Sequence, residues 1–408
     1  MESVYYVGID IDDKFAVASV FYTGMKEPET VSMVAGSEVF QIPVTLTKKQ
    51  GLGQWFIGDE AKRVAMVQNI EPIDFLLSKA LNRESIFIED EKYQAVELLT
   101  LYIKKLIFLT GKLGNPGLPD KLIFTLESLS REITGLFFEI GAKLGIDKSR
   151  IMLLDRKEGF YYYTLNQKQE LWNHDVFLFD YRDENISCCH MKRNTKTVPQ
   201  MITLDAKQRY MSKAGCDDSF YRILQDCFAG HSISSVYLVG DGFEGDWMKV
   251  SLAYLCKGRR AFVGKNLYSK GACYAAMVAD AVIEWPYIYI GDNEMKVNIS
   301  LKVKKPGGME FLTLISAGDN LYETEAICEV ILEGTPEVDF WLQLPHSRDA
   351  KIQKLELSDL PEREDKTTRL RIHVKPLSDT EVSIKIRDLG FGEIVKSTDK
   401  VWEYVMSL

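Results

Sequence analysis

The amino-acid sequence predicts an α/β region followed by an all-β domain, and three observations carry that expectation. Val4–Val20 (VYYVGIDIDDKFAVASV) and Val176–Met191 (VFLFDYRDENISCCHM) each read as an apolar strand ending in an aspartate, Asp10 or Asp180, then a tight polar turn and a second strand. Elsewhere in the first two thirds of the chain, strands alternate with helical segments, the pattern of a sheet covered by helices. From about Glu294 the helical segments stop, and short alternating strands separated by Gly, Pro, Asp and Ser predict a β-sandwich. A repeated hairpin with a carboxylate at each tip implies a duplicated fold that turns both tips towards one ligand.

Taken in order, residues 4–68 read as the first hairpin, a strand within Ser37–Thr47 and another at Gln54–Gly58. A helix opens at Asp59, where an acidic residue suits the cap. Residues 91–113 have helical spacing (Val96, Leu99, Tyr102, Leu106), stopped by Gly114-Asn115-Pro116-Gly117-Leu118-Pro119. Strand Lys121–Leu126, helix Arg131–Leu144, strand Ile151–Leu154 and helix Gly159–Lys168 follow. The Tyr161-Tyr162-Tyr163 run suits helix packing better than a stacking platform. After the second hairpin come a mixed segment, a helix at Asp218–Phe228 and strand Ser235–Val239, which runs into Gly240-Asp241-Gly242. A helix over Asp246–Leu255 and a small-residue helix over Gly271–Ala281 complete this region. The later strands fall at 295–304, 309–316, 325–334, 338–343, 368–375 and 381–387. The expected domains are 1–293, with lobes of about 1–172 and 173–293, and the sandwich 294–408.

With 408 residues, 46% of them hydrophobic, the chain suits two or three globular domains. A net charge of −9 without a long basic run argues against a nucleic-acid surface. The most apolar stretch, Leu98–Thr110, carries Lys104 and Lys105 and is too short for a bilayer, so no membrane partner is expected. The first residues lead into a strand rather than a signal peptide, which implies a cytoplasmic protein. Seven cysteines without a C-x-x-C pair imply reduced thiols. Cys188-Cys189-His190 lies on a strand whose residues alternate faces and therefore reads as core packing, not a metal site. His174, His190, His231, His346 and His373 show no metal-ligand spacing.

Strand-Asp-turn-strand twice, then strand-Gly-rich turn-helix, is the order of the actin-like ATPase fold, with its duplicated ribonuclease-H-like lobes. Within that fold the chain resembles the 70-kDa heat-shock chaperone family. Ile42-Pro43 with Phe56-Ile57-Gly58-Asp59-Glu60-Ala61-Lys62 is similar to that family's IPS…VGDAAK block, and Phe75–Arg83 (FLLSKALNR) to its FDAKRLIGR. Phe124–Ser149 follows its VTVPAYF…A…AGL segment. Gly334-Thr335-Pro336 and Leu360-Pro361 through Arg369–Ile372 resemble its substrate-binding sandwich. The resemblance spans nearly the whole chain. It implies a fold of two actin-like lobes followed by a C-terminal β-sandwich that binds a polypeptide or protein partner.

The departures bear on function. The family's first turn is Asp-Leu-Gly-Thr-Thr; here Asp10 is followed by Ile11, Asp12, Asp13 and Lys14. Two extra carboxylates against a polyphosphate are unfavourable unless a metal intervenes, and Lys14 offsets part of this. Its second turn, Asp-Leu-Gly-Gly-Gly-Thr, is here Asp180-Tyr181-Arg182-Asp183-Glu184-Asn185, without a glycine. Arg156 stands in place of the family's essential glutamate, with Asp155 and Glu158 as substitutes beside it, and the catalytic lysine aligns near Ser78-Lys79. The stretch from Asp180 to Gly240 is too short for the subdomain that covers adenine, and a helical lid is not expected either. The candidate site for ATP or ADP is therefore Asp10, Asp12, Asp13, Lys14, Asp180, Arg182, Gly240, Asp241 and Gly242. Asp10 and Asp180 are the candidate Mg²⁺ ligands and the only catalytic candidates, and Lys14 with Arg182 is a candidate anion site; alternatively the two aspartates cap hairpin turns, Gly240–Gly242 is an ordinary strand-to-helix turn, and Lys14 and Arg182 are solvated or salt-bridged surface groups. Three readings stand, the first two being a chaperone-like protein with a degenerate nucleotide domain and weak or no hydrolysis, and a working Mg-ATPase with altered phosphate loops. A structural scaffold is the third.

Overall fold

The computed structural model describes residues 4–34, 36–111, 117–212, 215–347 and 349–408; the expected breaker residues Gly114, Asn115 and Pro116 lie outside these. The chain divides into two compact units, one of residues 1–192 and 204–285, the other of residues 193–203 and 286–408.

In the first unit, β1 (Tyr5–Ile11) pairs antiparallel with β2 (Phe15–Tyr22), which is flanked by the short β3 (Glu29–Thr30) and β4 (Ile42–Pro43). β5 (Leu46–Lys48) and β6 (Trp55–Ile57) form a ribbon before α1 (Gly58–Gln68) and α2 (Leu76–Leu81). The strand expected within Ser37–Thr47 is thus two short pieces, β4 and β5. The helix expected from residue 91 starts only at Ala95, because β7 (Ser85–Ile88) and β8 (Glu91–Gln94) pair as a hairpin. There α3 (Ala95–Thr110) begins with a capping box, Gln94 and Glu97 each serving the other's backbone. β9 (Lys121–Leu126) runs parallel to β1. It leads through α4 (Arg131–Leu144), capped by Ser130, to the parallel β10 (Ile151–Asp155) and then to α5 (Arg156–Leu165).

The second half repeats this plan. β11 (Asp175–Arg182) pairs antiparallel with β12 (Asn185–Asn194), and β13 (Gln200–Tyr210) lies beyond it. α6 (Cys216–Phe228), β14 (Ile233–Val239), α7 (Val250–Leu255), β15 (Arg260–Val263) and α8 (Leu267–Ala279) complete it, with β14 parallel to β11 and β15 parallel to β14. The strand orders β10-β9-β1-β2-β3 and β15-β14-β11-β12-β13 correspond element by element. Asp10 and Asp180 therefore occupy equivalent positions, one residue from the end of β1 and two from the end of β11. The helix expected over Asp246–Leu255 is confined to its last turns, preceded by a 3-10 turn at Asp241–Phe243.

α8 packs on the first sheet, its Ala272, Cys273 and Ala276 joining Tyr6, Ile123 and Leu154 in one core. Small residues are needed there. A Cβ at Gly8 would lie 2.3 Å from the Ser269 carbonyl oxygen, and one at Gly271 2.0 Å from that of Gly159, where α5 and α8 meet. Tyr161 and Tyr163 of α5 pack inward against Trp285 and Tyr237.

In the second unit β16 (Tyr287–Tyr289) pairs parallel with the start of β13. The sandwich follows: β17 (Asn298–Lys305), β18 (Gly308–Ile315), β19 (Ala326–Leu332), β20 (Glu337–Gln343), β21 (Ala350–Glu356), β22 (Thr368–Pro376), β23 (Glu381–Gly390) and β24 (Val401–Ser407). Two four-stranded sheets, β18-β17-β20-β21 and β19-β22-β23-β24, close on one core of Ile299, Leu301, Phe340, Ile372, Ile384 and Trp402. No helix among the described residues is long and apolar enough to cross a membrane.

Candidate functional site

The tips of the two hairpins in the first unit meet across a cleft of about 380 Å³, lined among others by Asp12, Asp13, Lys14, Ser78, Arg182 and Asp183. Its floor is ionic. Asp155 ends β10 and accepts the Glu158 N–H at 2.7 Å, so it serves as the cap of α5 and fixes where that helix begins. The next residue, Arg156, is thereby aimed back at β1. Its Nε donates to Asp10 Oδ1 at 2.9 Å and its Nη2 to Asp10 Oδ2 at 3.3 Å and to Asp12 Oδ2 at 2.9 Å. Arg182 arrives from the other hairpin and donates to the same Asp12 oxygen at 3.1 Å and to Asp180 Oδ1 at 2.7 Å. Tyr268 of α8 donates its hydroxyl to Asp180 Oδ2 at 3.1 Å, and its ring lies 5.6 Å from the Arg156 guanidinium.

Every carboxylate in this chain of contacts has a cationic partner. Asp12 spends its other oxygen on its own turn, accepting from the Lys14 and Phe15 N–H groups at 2.8 Å each. Burial pushes the Asp12 carboxyl up, but Arg156 and these backbone donors outweigh it and hold it below the usual carboxylate range. Burial likewise opposes charge on Arg156, yet Asp10 and Asp12 raise it well above its ordinary value. At Asp10, which is fully enclosed, desolvation dominates and raises the carboxyl against the pull of Arg156. Burial, with Asp180 adding to it, also raises Tyr268 well above its ordinary value and keeps it a donor.

The remaining candidates sit at the rim. Lys14 pairs with Asp183 across the cleft at 2.8 Å. Asp13 accepts the Ser78 N–H at 2.9 Å and its hydroxyl as well, whereas Lys79 donates to the Asp74 carbonyl at 2.9 Å. The turn Gly240-Asp241-Gly242 lies against the second hairpin. A Cβ on Gly240, whose φ is +99°, would meet the Tyr181 carbonyl oxygen at 2.3 Å, and one on Gly242 would meet the Tyr181 ring at 2.2 Å. Both glycines make room for Tyr181. Beneath them only about 20 Å³ is left between Asp10, Arg156, Gly240 and Tyr268. The sequence marks Ser78 only as the neighbour of the aligned Lys79, and Tyr268 lies before the small-residue stretch Gly271–Ala281, in the first turn of a helix that starts at Leu267.

A family profile described as "Family of unknown function (DUF5716) C-terminal" matches residues 27–292, well over half of the chain. The chain belongs to that family. The DUF5716 match starts beyond the first hairpin, so it takes in Arg156, Asp180, Arg182 and Gly240–Gly242 but not Asp10–Lys14. A second profile, described as "Domain of unknown function (DUF8552)", covers 294–408, the sandwich. No curated protein matches the chain.

Proposed function

We propose that this DUF5716 protein is a chaperone-like relative of the actin-like ATPases whose nucleotide cleft has become an internal ion-pair strut. It neither holds nor hydrolyses Mg-ATP, and it acts through a polypeptide or protein partner bound by the β-sandwich. The observation that carries this is Arg156, which engages both Asp10 oxygens and Asp12. Mg²⁺ keeps an octahedron of oxygens, mostly water, and would need Asp10 or Asp180 free to reach them. Here a cation would first have to displace a guanidinium, and Asp180 is taken by Arg182 and Tyr268. A polyphosphate would meet the Asp12 and Asp13 carboxylates where backbone amides should approach it. These residues do not fit the cofactor. The correspondence of the two strand orders supports the actin-like, ribonuclease-H-like ancestry. The exposed Ile327 and Ile331 on edge strand β19 support a partner surface on the sandwich.

Calorimetry of the full chain with Mg-ATP and Mg-ADP, beside a phosphate-release assay, tests the reading. No binding at millimolar nucleotide and no turnover are expected. Micromolar binding with turnover that disappears in Asp10→Asn would overturn it in favour of a working ATPase.

A further inference from the structure

We propose that Asp175, His190 and His231 form a site for one first-row transition cation of the zinc class, with a coordination position left open to water or an outside ligand. The site is separate from the cleft. Asp175 begins β11 and Asp180 lies near its end, five residues on, or roughly 17 Å along an extended strand.

Three separate segments bring the ligands together. His190 on β12 is paired with Phe177 on β11, so its side chain shares a face with Phe177 and, diagonally, with Asp175. His231 comes from the turn between α6 and β14. That turn is tied down by its own N–H to the Phe228 carbonyl at 3.1 Å and by the Asp175 N–H to the Ser232 carbonyl at 2.9 Å. His190 Nε2 lies 2.8 Å from Asp175 Oδ1 and His231 Nδ1 3.1 Å from Oδ2. One ligand atom from each residue lies within 4.8 Å of the other two. A tetrahedral ion with bonds of about 2.0–2.1 Å holds its ligand atoms roughly 3.3 Å apart, so small side-chain rotations seat it.

The rings are held ready. His190 stacks on Phe177 at 4.5 Å and 8°, His231 stands edge-on to Phe177 at 5.6 Å, and Phe228 backs Phe177 at 5.2 Å. An aromatic wall therefore fixes both imidazoles with a nitrogen turned to one carboxylate. The other side is open: side-chain exposure is 14% for His190, 32% for Asp175 and 35% for His231. Two imidazoles and a carboxylate select zinc, nickel, copper or iron over Mg²⁺ and Ca²⁺, which prefer oxygen alone, and three protein ligands leave room for a fourth. When the ion enters, the facing nitrogens must give up the protons they donate to Asp175: a neutral ring shifts its proton through solvent to its other nitrogen, Nδ1 of His190 or Nε2 of His231, and a charged ring releases one proton to water, so the two contacts to Asp175 give way to bonds to the metal.

The test is titration of the metal-free full chain with Zn²⁺ by calorimetry, and with Co²⁺ by visible absorption. The wild type is expected to take up one equivalent that His231→Ala and Asp175→Asn lose, each weakening that step by at least about tenfold. His231→Gln preserves a hydrogen bond to Asp175 and with it the fold, checked by circular dichroism, yet should also lose that equivalent. The free cysteines give any additional zinc uptake, which these variants leave unchanged. Identical Zn²⁺ uptake by the wild type and His231→Gln, or no uptake by the wild type, overturns the proposal.

Discussion

Arg156 illustrates how one side chain changes what its neighbours can do. Asp10 and Asp12 face inward at the end of β1, where two carboxylates would ordinarily gather a cation; a guanidinium between them satisfies both and removes the need. The pair is buried, so breaking it from one side is costly. Arg156→Met should destabilise the chain by about 3–5 kcal/mol, because it leaves Asp10 enclosed without a partner. Asp10→Asn added to Arg156→Met should recover part of that loss, a coupling that urea midpoints of the four members of the cycle would read. Strictly additive losses would mean that the two residues do not act as a pair. This contact was half legible in the sequence. The strand-end position of Asp10 and the place of Arg156 after a short strand were both visible, but nothing local said that Asp155 would cap α5 and point Arg156 at β1. Tyr268 was not legible at all, since a tyrosine in a helix carries no sign of which carboxylate it will meet.

At the scale of elements, α7 shows why boundaries were harder to read than existence. Lys249 at the cap position makes no side-chain hydrogen bond to the helix end. Asp217, far away on α6, accepts the N–H groups of Lys249, Val250 and Ser251. The helix therefore starts where a distant carboxylate reaches it, later than local pattern suggests. Desolvation pushes the Asp217 carboxyl up, but the Ser251 hydroxyl and the three N–H groups outweigh it and hold it at about 2. A carboxyl lowered in the folded state adds stability that is complete above its unfolded value of about 3.9 and is lost as pH falls from there towards 2. Asp217→Asn should accordingly flatten the decline in stability over that window, followed by urea unfolding at a series of pH values. Parallel curves for the two proteins would contradict this. β21 and β24 went unread for a different reason: AKIQKLE alternates too weakly, and VWEYVMS looks like a tail until β23 is there to pair with it.

For the molecule as a whole, the duplication was the most legible feature, because a strand that ends in an aspartate before a hairpin leaves the same trace twice. The division into units was less so. Residues 193–203 belong with the second unit because Gln200–Ile202 pairs with Tyr287–Tyr289, a long-range contact without a local signal. The sandwich core, by contrast, is drawn entirely from residues between Met295 and Met406. A fragment of residues 286–408 should therefore unfold cooperatively in urea by itself, with a β-type circular dichroism spectrum; a gradual, featureless transition would mean that 193–203 is required. Hydrophobic stabilisation per unit area levels off on warming, whereas the cost of stripping water from ions keeps falling as temperature rises. The contacts linking Asp10, Asp12 and Asp180 to Arg156 and Arg182 thus gain in relative weight as the protein warms, and the two hairpins are tied most loosely in the cold.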